Sequence, residues 1–399
     1  MILLILGRQP EIGIAELRAV FGNVETILPG VVLVAVDEIP NIDRLGGIRK
    51  IGRVIYDNDG NPGKFLLDKF SDLPPGKITL GISHYGKIAS ATSAKKTAMF
   101  LKSHLERSVR VLPNTTAEIS DAATLGNKLG SSPNKVELLM AYIGHRLVIA
   151  ELVGVQNLNA YTLRDRGRPK RDARVGMLPP KLAQIMINLA HGACKNSLSK
   201  DDNVLDQTLA TRAGLAPNRQ TTLLDPFCGT GVILQEAALM GFDVYGTDIE
   251  SRMIDFTKTN LAWLEKTHQV IFKSKSEVGD ATNYIWSQPI DVIATETYLG
   301  QPYTTPPPTE KLQQNITTCN TILSKFLINL APQITPETGL CVAVPCWFLN
   351  NKTYHLPLVC QLVALGYEQI FYSDDQKPLI YHRENQIVAR ELLVLRRKP

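Results

Sequence analysis

The stretch TTLLDPFCGTGVILQEAALMGFDVYGTD, from Thr221 to Asp248, decides how the C-terminal half of this chain is read. It runs strand, glycine turn, helix from Val232 to Met240, glycine cap, second strand and closing acid, which is the first βαβ half of a nucleotide-binding fold. Gly229 and Gly231 let the backbone approach a ligand closely and open the helix over it, and Pro226 and Phe227 in the same loop are further contact candidates. Asp248 follows Asp225 by 23 residues and ends the second strand, where a carboxylate can take both hydroxyls of a ribose. The bland alternative is that the glycines only turn a strand into a helix.

Charge selects the ligand. A dinucleotide brings a diphosphate to this turn, and Asp225, at the tip of the first strand, would repel it. S-adenosylmethionine (SAM) brings a cationic ammonium and a sulfonium, which an aspartate attracts, so SAM is the cofactor expected here. A third acid fits the same ligand: Asp280, in Gly279-Asp280-Ala281 after an extended segment near Val270 to Lys273, can accept from the adenine amine. Cys228 reads as a small cofactor-facing side chain rather than a nucleophile.

Further along, the strand Asp291-Val-Ile-Ala294 leads into Thr295-Glu296-Thr297-Tyr298-Leu299-Gly300. Ends of strands in open α/β sheets favour ligand sites, which singles out Glu296; an exposed loop acid there, and a half-buried tyrosine at Tyr298, are the plainer readings. Gln301 to Thr309 holds four prolines in nine residues and is expected to form a mobile rim over the substrate pocket. Tyr381-His382-Arg383, ahead of the apolar run Ile387 to Leu395, reads as a hairpin edge. Asn196 to Gln220 is polar and long for a connection, and reads as a loop insertion.

With 399 residues the chain has length for two or three domains, and its 44% hydrophobic and 20% charged residues are ordinary globular usage, which excludes disordered, collagenous and coiled-coil classes. The apolar opening Met1 to Leu6 is far shorter than the ~20 residues of a membrane span, and no basic residue precedes it, so an intracellular, cytoplasmic protein is expected. Six scattered cysteines form no CxxC and no metal-ligand spacing; no metal is expected.

Upstream, residues 1–60 read as a small mixed unit with strands Ile2 to Leu6 and Val31 to Val36, a helix Ile12 to Phe21, another helix near Ile42 to Ile48, and Arg53 to Tyr56. Asn58 to Gly63 is the strongest breaker cluster in the chain, and a boundary is expected between 57 and 76. Residues 76–155 form a second α/β unit. Positive charge is focused in two places: Arg164, Arg166, Arg168, Lys170, Arg171 and Arg174 against two aspartates, and Lys95, Lys96, Lys102, Arg107 and Arg110 against Glu106. Two such clusters flanking one unit favour a polyanion over merely solvated faces.

Asp225-Pro-Phe-Cys-Gly-Thr-Gly231, together with Gly176-Met-Leu-Pro-Pro-Lys-Leu-Ala183 and Ile187-Asn-Leu-Ala190, resembles the THUMP-containing tRNA guanosine N2-methyltransferases that modify the D-arm. The resemblance covers most of the chain. It implies an N-terminal ferredoxin-like domain (1–60), a THUMP RNA-binding domain (76–155), a basic linker (156–176) and a Rossmann-like SAM-dependent catalytic domain with a doubly wound, mostly parallel sheet (177–399). It further implies that the THUMP unit holds the acceptor end of tRNA, while the linker lies against its backbone. One departure stands out: the family's amine-directed members carry Asp/Asn-Pro-Pro-Tyr where this chain has Thr295-Glu-Thr-Tyr298, with a longer acid, no prolines and the aromatic one place early. The prolines normally stiffen that loop; by the resemblance Glu296 and Tyr298 are the catalytic candidates, as acceptor for the amine and stacking platform for the base. Two other classes therefore stay in view, an RNA-binding protein with a vestigial or partner-dependent methyltransferase domain, and an amine-directed DNA methyltransferase.

Overall fold

The computed structural model describes residues 1–172, 177–194, 221–350, 352–373, 375–384 and 386–399. The chain divides into two compact units, one of Met1–Asp43 with Gly47–Ala160, the other of Arg44–Gly46 with Tyr161–Pro399. No helix among the described residues is long and apolar enough to cross a membrane.

The first unit is built on one eight-stranded sheet. Its elements are β1 (Ile2–Leu6), α1 (Pro10–Phe21), β2 (Glu25–Leu28), β3 (Val31–Val34), β4 (Ile48–Asp59), α2 (Gly63–Ser71), β5 (Ile78–Tyr85), α3 (Ala91–His104), β6 (Val109–Val111), α4 (Asp121–Gly126), β7 (Lys135–Ile143) and β8 (Arg146–Val155). The strand order is β2-β3-β1-β4-β8-β7-β5-β6. Strand alternation gives the sheet two apolar faces: Leu138 and Met140 pack with Leu66, Phe70 and Leu101 of α2 and α3, while Leu139 and Ala141 face the other core, with Ile119 and Leu129.

Three expectations differ from this unit. Residues 1–60 and 76–155 share a sheet, because β4 is a single strand whose two edges pair antiparallel with β1 and with β8. Register shifts at Ile51/Gly52 and Val54/Tyr56 let it serve both neighbours, and Gly52 is needed there, since a Cβ would lie 2.8 Å from the Ala150 Cβ. The helix expected near Ile42 to Ile48 is only the turn Ile42–Arg44, because the Gly47 N–H is held instead by the buried Glu16 carboxylate at 2.7 Å. The breaker cluster is followed at once by α2, which starts where Asn61 Oδ1 accepts from Gly63 N–H at 2.8 Å.

The second unit opens with most of α5 (Leu158–Arg166) and α6 (Pro180–Gly192). Its strands are β9 (Thr222–Asp225), β10 (Asp243–Asp248), β11 (Ser274–Val278), β12 (Val292–Glu296), β13 (Gly339–Leu349), β14 (Lys352–Tyr354), β15 (Tyr367–Gln369), β16 (Leu379–Tyr381) and β17 (Val388–Arg397). Between them run the helices Val232–Leu239, Ser251–His268 and Thr309–Leu330. The doubly wound, mostly parallel sheet expected from the sequence is present, in the order β11-β10-β9-β12-β13-β17-β15. Its first five strands are parallel and follow the dinucleotide-fold order; β17 then enters antiparallel between β13 and β15. Leu224, Ile293, Leu340 and Val342 are fully buried beneath Leu323, Phe326 and Leu327 of helix Thr309–Leu330. At about 1.5–3 kcal/mol for each fully buried side chain, that core fixes the strand ends far more firmly than any loop contact does. The hairpin edge expected around Tyr381 is β16, paired with β17.

The segment 156–176 is not a free linker where it is described: α5 occupies much of it, and Tyr161 donates to the buried Gln184 at 2.5 Å. Arg174, Gly176 and the expected insertion Asn196 to Gln220 lie outside the described residues.

Candidate active site

The chain reverses its direction of sheet growth between β9 and β12, and this switch point opens a crevice at their carboxyl ends. Asp225 is the last residue of β9 and Glu296 the last of β12. Asp248 ends β10, and Gly279, next to Asp280, donates its N–H to the Asp248 carbonyl at 2.9 Å. Four predicted acids thus line one edge of the sheet along neighbouring strands.

The glycine loop is held from both sides. Gly229 and Gly231 have φ of +50° and +80°, the left-handed region that side chains avoid. The Gly229 N–H donates to Asp248 Oδ2 at 2.9 Å, which ties the loop to the second acid. From behind, Thr257 Oγ1 donates to the Gly229 carbonyl at 2.8 Å and Asn260 Nδ2 to the Thr230 carbonyl at 2.8 Å. A Cβ on Gly231 would meet that Thr257 hydroxyl at 3.0 Å. Pro226 is buried and Phe227 packs its ring edge-on to Phe326, so both support the loop. Cys228 does not face a ligand: its Sγ lies 3.8 Å from Thr257 Oγ1 in the interior, where burial pushes the thiol well above its usual range.

The acids differ in electrostatics. Asp225 is 2% exposed, and accepts from Thr295 Oγ1 at 2.7 Å and from the Phe227 N–H at 3.2 Å. Burial pushes its carboxyl up to about 7, and the charges of Asp248 and Glu296 add to the rise against those two donors. Asp248 is also raised by burial, opposed by the N–H groups of Glu250 and Gly229. Asp280 accepts from Thr282 N–H at 2.9 Å and Thr282 Oγ1 at 2.8 Å. A buried carboxylate raised by burial and by its own neighbours is a site short of positive charge. Ile249, just after Asp248, is 68% exposed and offers an apolar face.

On the other side of the crevice, Glu296 pairs with Arg390 of β17, Arg390 Nε donating to Glu296 Oε1. Burial raises the Glu296 carboxyl, and Arg390 opposes that rise. Tyr298 is 45% exposed beyond it. The loop that follows is tied down rather than a free rim. Asn315 Oδ1 accepts from Gln301 N–H at 3.2 Å, and its Nδ2 donates to Tyr303 Oη at 2.9 Å. Sequence reasoning missed Thr295, Arg390, Asn315, Thr257, Asn260 and Ile249. Only Arg390 carried a signal, as a charge beside Glu391 inside the apolar run Ile387 to Leu395.

Among the basic residues, Arg166, Lys170 and Arg171 are exposed, as are Lys95 and Lys96 on α3. Arg164 and Arg168 correct the expectation of RNA contacts. Arg164 is 7% exposed and its Nε donates to the buried Glu236 at 2.7 Å; Arg168 is 3% exposed, with Nη2 3.3 Å from Met177 Sδ. Their charge serves the interior of the second unit.

The sheet order and the glycine loop define a Rossmann-like methyltransferase, and comparison with known proteins agrees. Residues 204–321 match the family described as RMKL-like, methyltransferase domain. The chain is 27% identical over 310 residues to a tRNA (guanine(10)-N2)-dimethyltransferase from Pyrococcus abyssi, covering 76% of this chain and 79% of that protein. It is 34% identical over 125 residues to the protein of the same name from Methanothermobacter thermautotrophicus, covering 31% of this chain and 28% of that one. Among solved structures, TrmN from Thermus thermophilus aligns over 100% of both chains at 15% identity with a TM-score of 0.48. The protein is a SAM-dependent methyltransferase.

Proposed function

We propose that this enzyme methylates the N2 amine of a guanosine in tRNA. The observation that carries the reading is the pair of strand-end carboxylates, Asp225 and Glu296, on either side of the switch point, in a chain similar over most of its length to an enzyme named for that reaction. In this reading Asp225 holds the ammonium of the methionine moiety, Asp248 the ribose and Asp280 the adenine amine, with Ile249 against the adenine face. SAM supplies a methyl group already activated on a sulfonium. The chain's own work is alignment and exclusion of water.

The acceptor needs more help, because the lone pair of the guanine N2 amine is delocalised into the ring. Glu296 accepts from that amine and takes the proton it sheds as the N–C bond forms. Tyr298 offers its exposed ring as a platform for the flipped base. The first unit reads as ferredoxin-like and THUMP pieces fused through β4, with Lys95 and Lys96 for tRNA phosphates, and the second unit offers Arg166, Lys170 and Arg171 for the same kind of contact. A tRNA substrate makes the cytoplasm the expected location.

The altered motif around Glu296 favours one rival, a protein that binds RNA and SAM without transfer. Both are tested by incubating unmodified tRNA with the protein and methyl-deuterated SAM, and then analysing nucleosides by mass spectrometry beside a Glu296→Gln control. Guanosine carrying one or two labelled N2-methyl groups, lost in the control, is the expected result. Label on another nucleoside redirects the chemistry, and no label despite measured binding of both ligands favours the rival.

A further inference from the structure

We propose that Arg390 is a positioning residue for methyl transfer, holding the Glu296 carboxylate ionised and aimed at the acceptor amine in a loop that has no prolines to stiffen it. The inference rests on Glu296 being the acceptor. It starts from where Arg390 sits. β17 pairs antiparallel with β13 on one edge, with Arg390 opposite Pro345, and with β16 on the other, with Arg390 opposite Tyr381. Its backbone is therefore fixed from both sides, and its side chain crosses to the end of β12. There its Nε–H meets Glu296 Oε1, the two side chains being 9% and 15% exposed.

A nearly buried guanidinium is expensive unless it is paired, and a buried pair adds little net stability over apolar side chains of similar size. Among the described residues Glu296 is the hydrogen-bond and ion-pair partner of Arg390. An arginine brought to this edge for one carboxylate is an arrangement for geometry. The need for it follows from the sequence: Glu296 has one more rotatable bond than an aspartate would, and Thr297 and Leu299 leave the backbone after it free to turn. The backbone is anchored by Thr297 N–H donating to the Ala343 carbonyl at 3.0 Å, and the side chain is anchored by Arg390.

Charge makes the same demand. Burial works against ionisation of Glu296, and Arg390 is the cation that opposes it. Protonated, Glu296 would be a poor acceptor for an amine proton.

The test uses the full chain, tRNA and SAM, with single-turnover rates, the Kd of each ligand and Tm measured for Glu296→Gln, Arg390→Met, Arg390→Lys and the double variant Arg390→Met/Glu296→Gln. Arg390→Met is expected to slow transfer by about 100-fold, the cost of a misplaced reacting group, with both Kd values unchanged. Arg390→Lys, which keeps the charge and loses the planar fork, is expected to recover about a tenth of the wild-type rate. In the Glu296→Gln background, Arg390→Met is expected to change the rate no further, because its effect runs through Glu296. A wild-type rate for Arg390→Met beside an inactive Glu296→Gln overturns the role of Arg390 and leaves Glu296 standing. Full activity of Glu296→Gln removes the acceptor assignment itself. Equal, multiplicative losses in both backgrounds, with Tm falling in step, mean that Arg390 only supports the fold. Should Arg390→Met not fold, the cycle of Arg390→Lys with Glu296→Gln carries the same decision.

Discussion

The two sides of the crevice are built by different means. On the proposed cofactor side, each acid accepts one N–H from its own loop, Asp225 from Phe227, Asp248 from Glu250 and Asp280 from Thr282, always two residues on, and Thr295 and Gly229 each add a more distant donor to the first two. On the acceptor side the partners come from far along the chain. Glu296 is held by Arg390, 94 residues away, and the loop after it by Asn315. Local hydrogen bonds to backbone survive many changes elsewhere in the molecule, whereas a side-chain clamp from a remote element fails when either end changes. The proposed cofactor side, with a local donor for each acid, should therefore tolerate the loss of one remote partner better than the acceptor side, where Glu296 depends on Arg390.

The sharpest attempt to break this contrast is Asp225→Ala. It is expected to weaken SAM binding by at least about 100-fold in calorimetry, since a buried, charge-assisted contact is lost outright; unchanged affinity would remove the cofactor assignment. Asn315→Leu probes the opposite side. Leaving the Gln301 N–H without its acceptor is expected to slow transfer by about tenfold with SAM affinity intact, and a loss of SAM affinity instead would show that the two sides are not separate.

Acidity gives a finer comparison. With its carboxyl near 7, Asp225 is mostly charged at pH 8 and mostly neutral at pH 6, so SAM affinity is expected to fall about tenfold between them and to lose that dependence in Asp225→Asn. The sign for the free protein is the reverse of the usual aspartate. Between the ordinary carboxylate range and 7 the folded chain binds more protons than the unfolded one, so this residue's contribution to stability falls as pH rises through that window. The smallest effect belongs to the basic segment. Arg166, Lys170 and Arg171 changed together to Ala are expected to weaken tRNA binding about fivefold and lower its salt slope by about two. Arg164→Ala should instead lower Tm, because it strands the buried Glu236.

Legibility followed the same divide. The glycine loop, the places of Asp225, Asp248 and Glu296 at strand ends and the mostly parallel character of the sheet were legible in contiguous residues, as periodicity and turn chemistry require, whereas the strand before Asp280 is Ser274–Val278 and not the expected Val270 to Lys273. The pairing of Glu296 with Arg390 was not readable, because nothing local relates two residues on strands separated by β13. The two basic clusters show the limit of charge counting: Arg164 and Arg168 sit in the same run as Arg166 and Arg171, yet α5 turns Arg164 inward and the bend after it buries Arg168. Breaker residues misled in a different way. Asn58 to Pro62 does end a strand, but the continuity of the sheet is decided by β4 pairing with β8, a contact between residues as far apart as Lys50 and Val155.

That strand has a consequence for how the protein is made. Asp57 and Arg146 are 89 residues apart, so at about 5–20 residues per second β4 leaves the ribosome roughly 4 to 18 s before its second neighbour has been synthesised. Through that interval one edge of a long strand stands open, its apolar Ile51 and Val54 available to any passing chain. The first unit cannot close in stages along the chain, and a nascent chain stalled anywhere between α2 and β7 would be a client for chaperones rather than a folded intermediate.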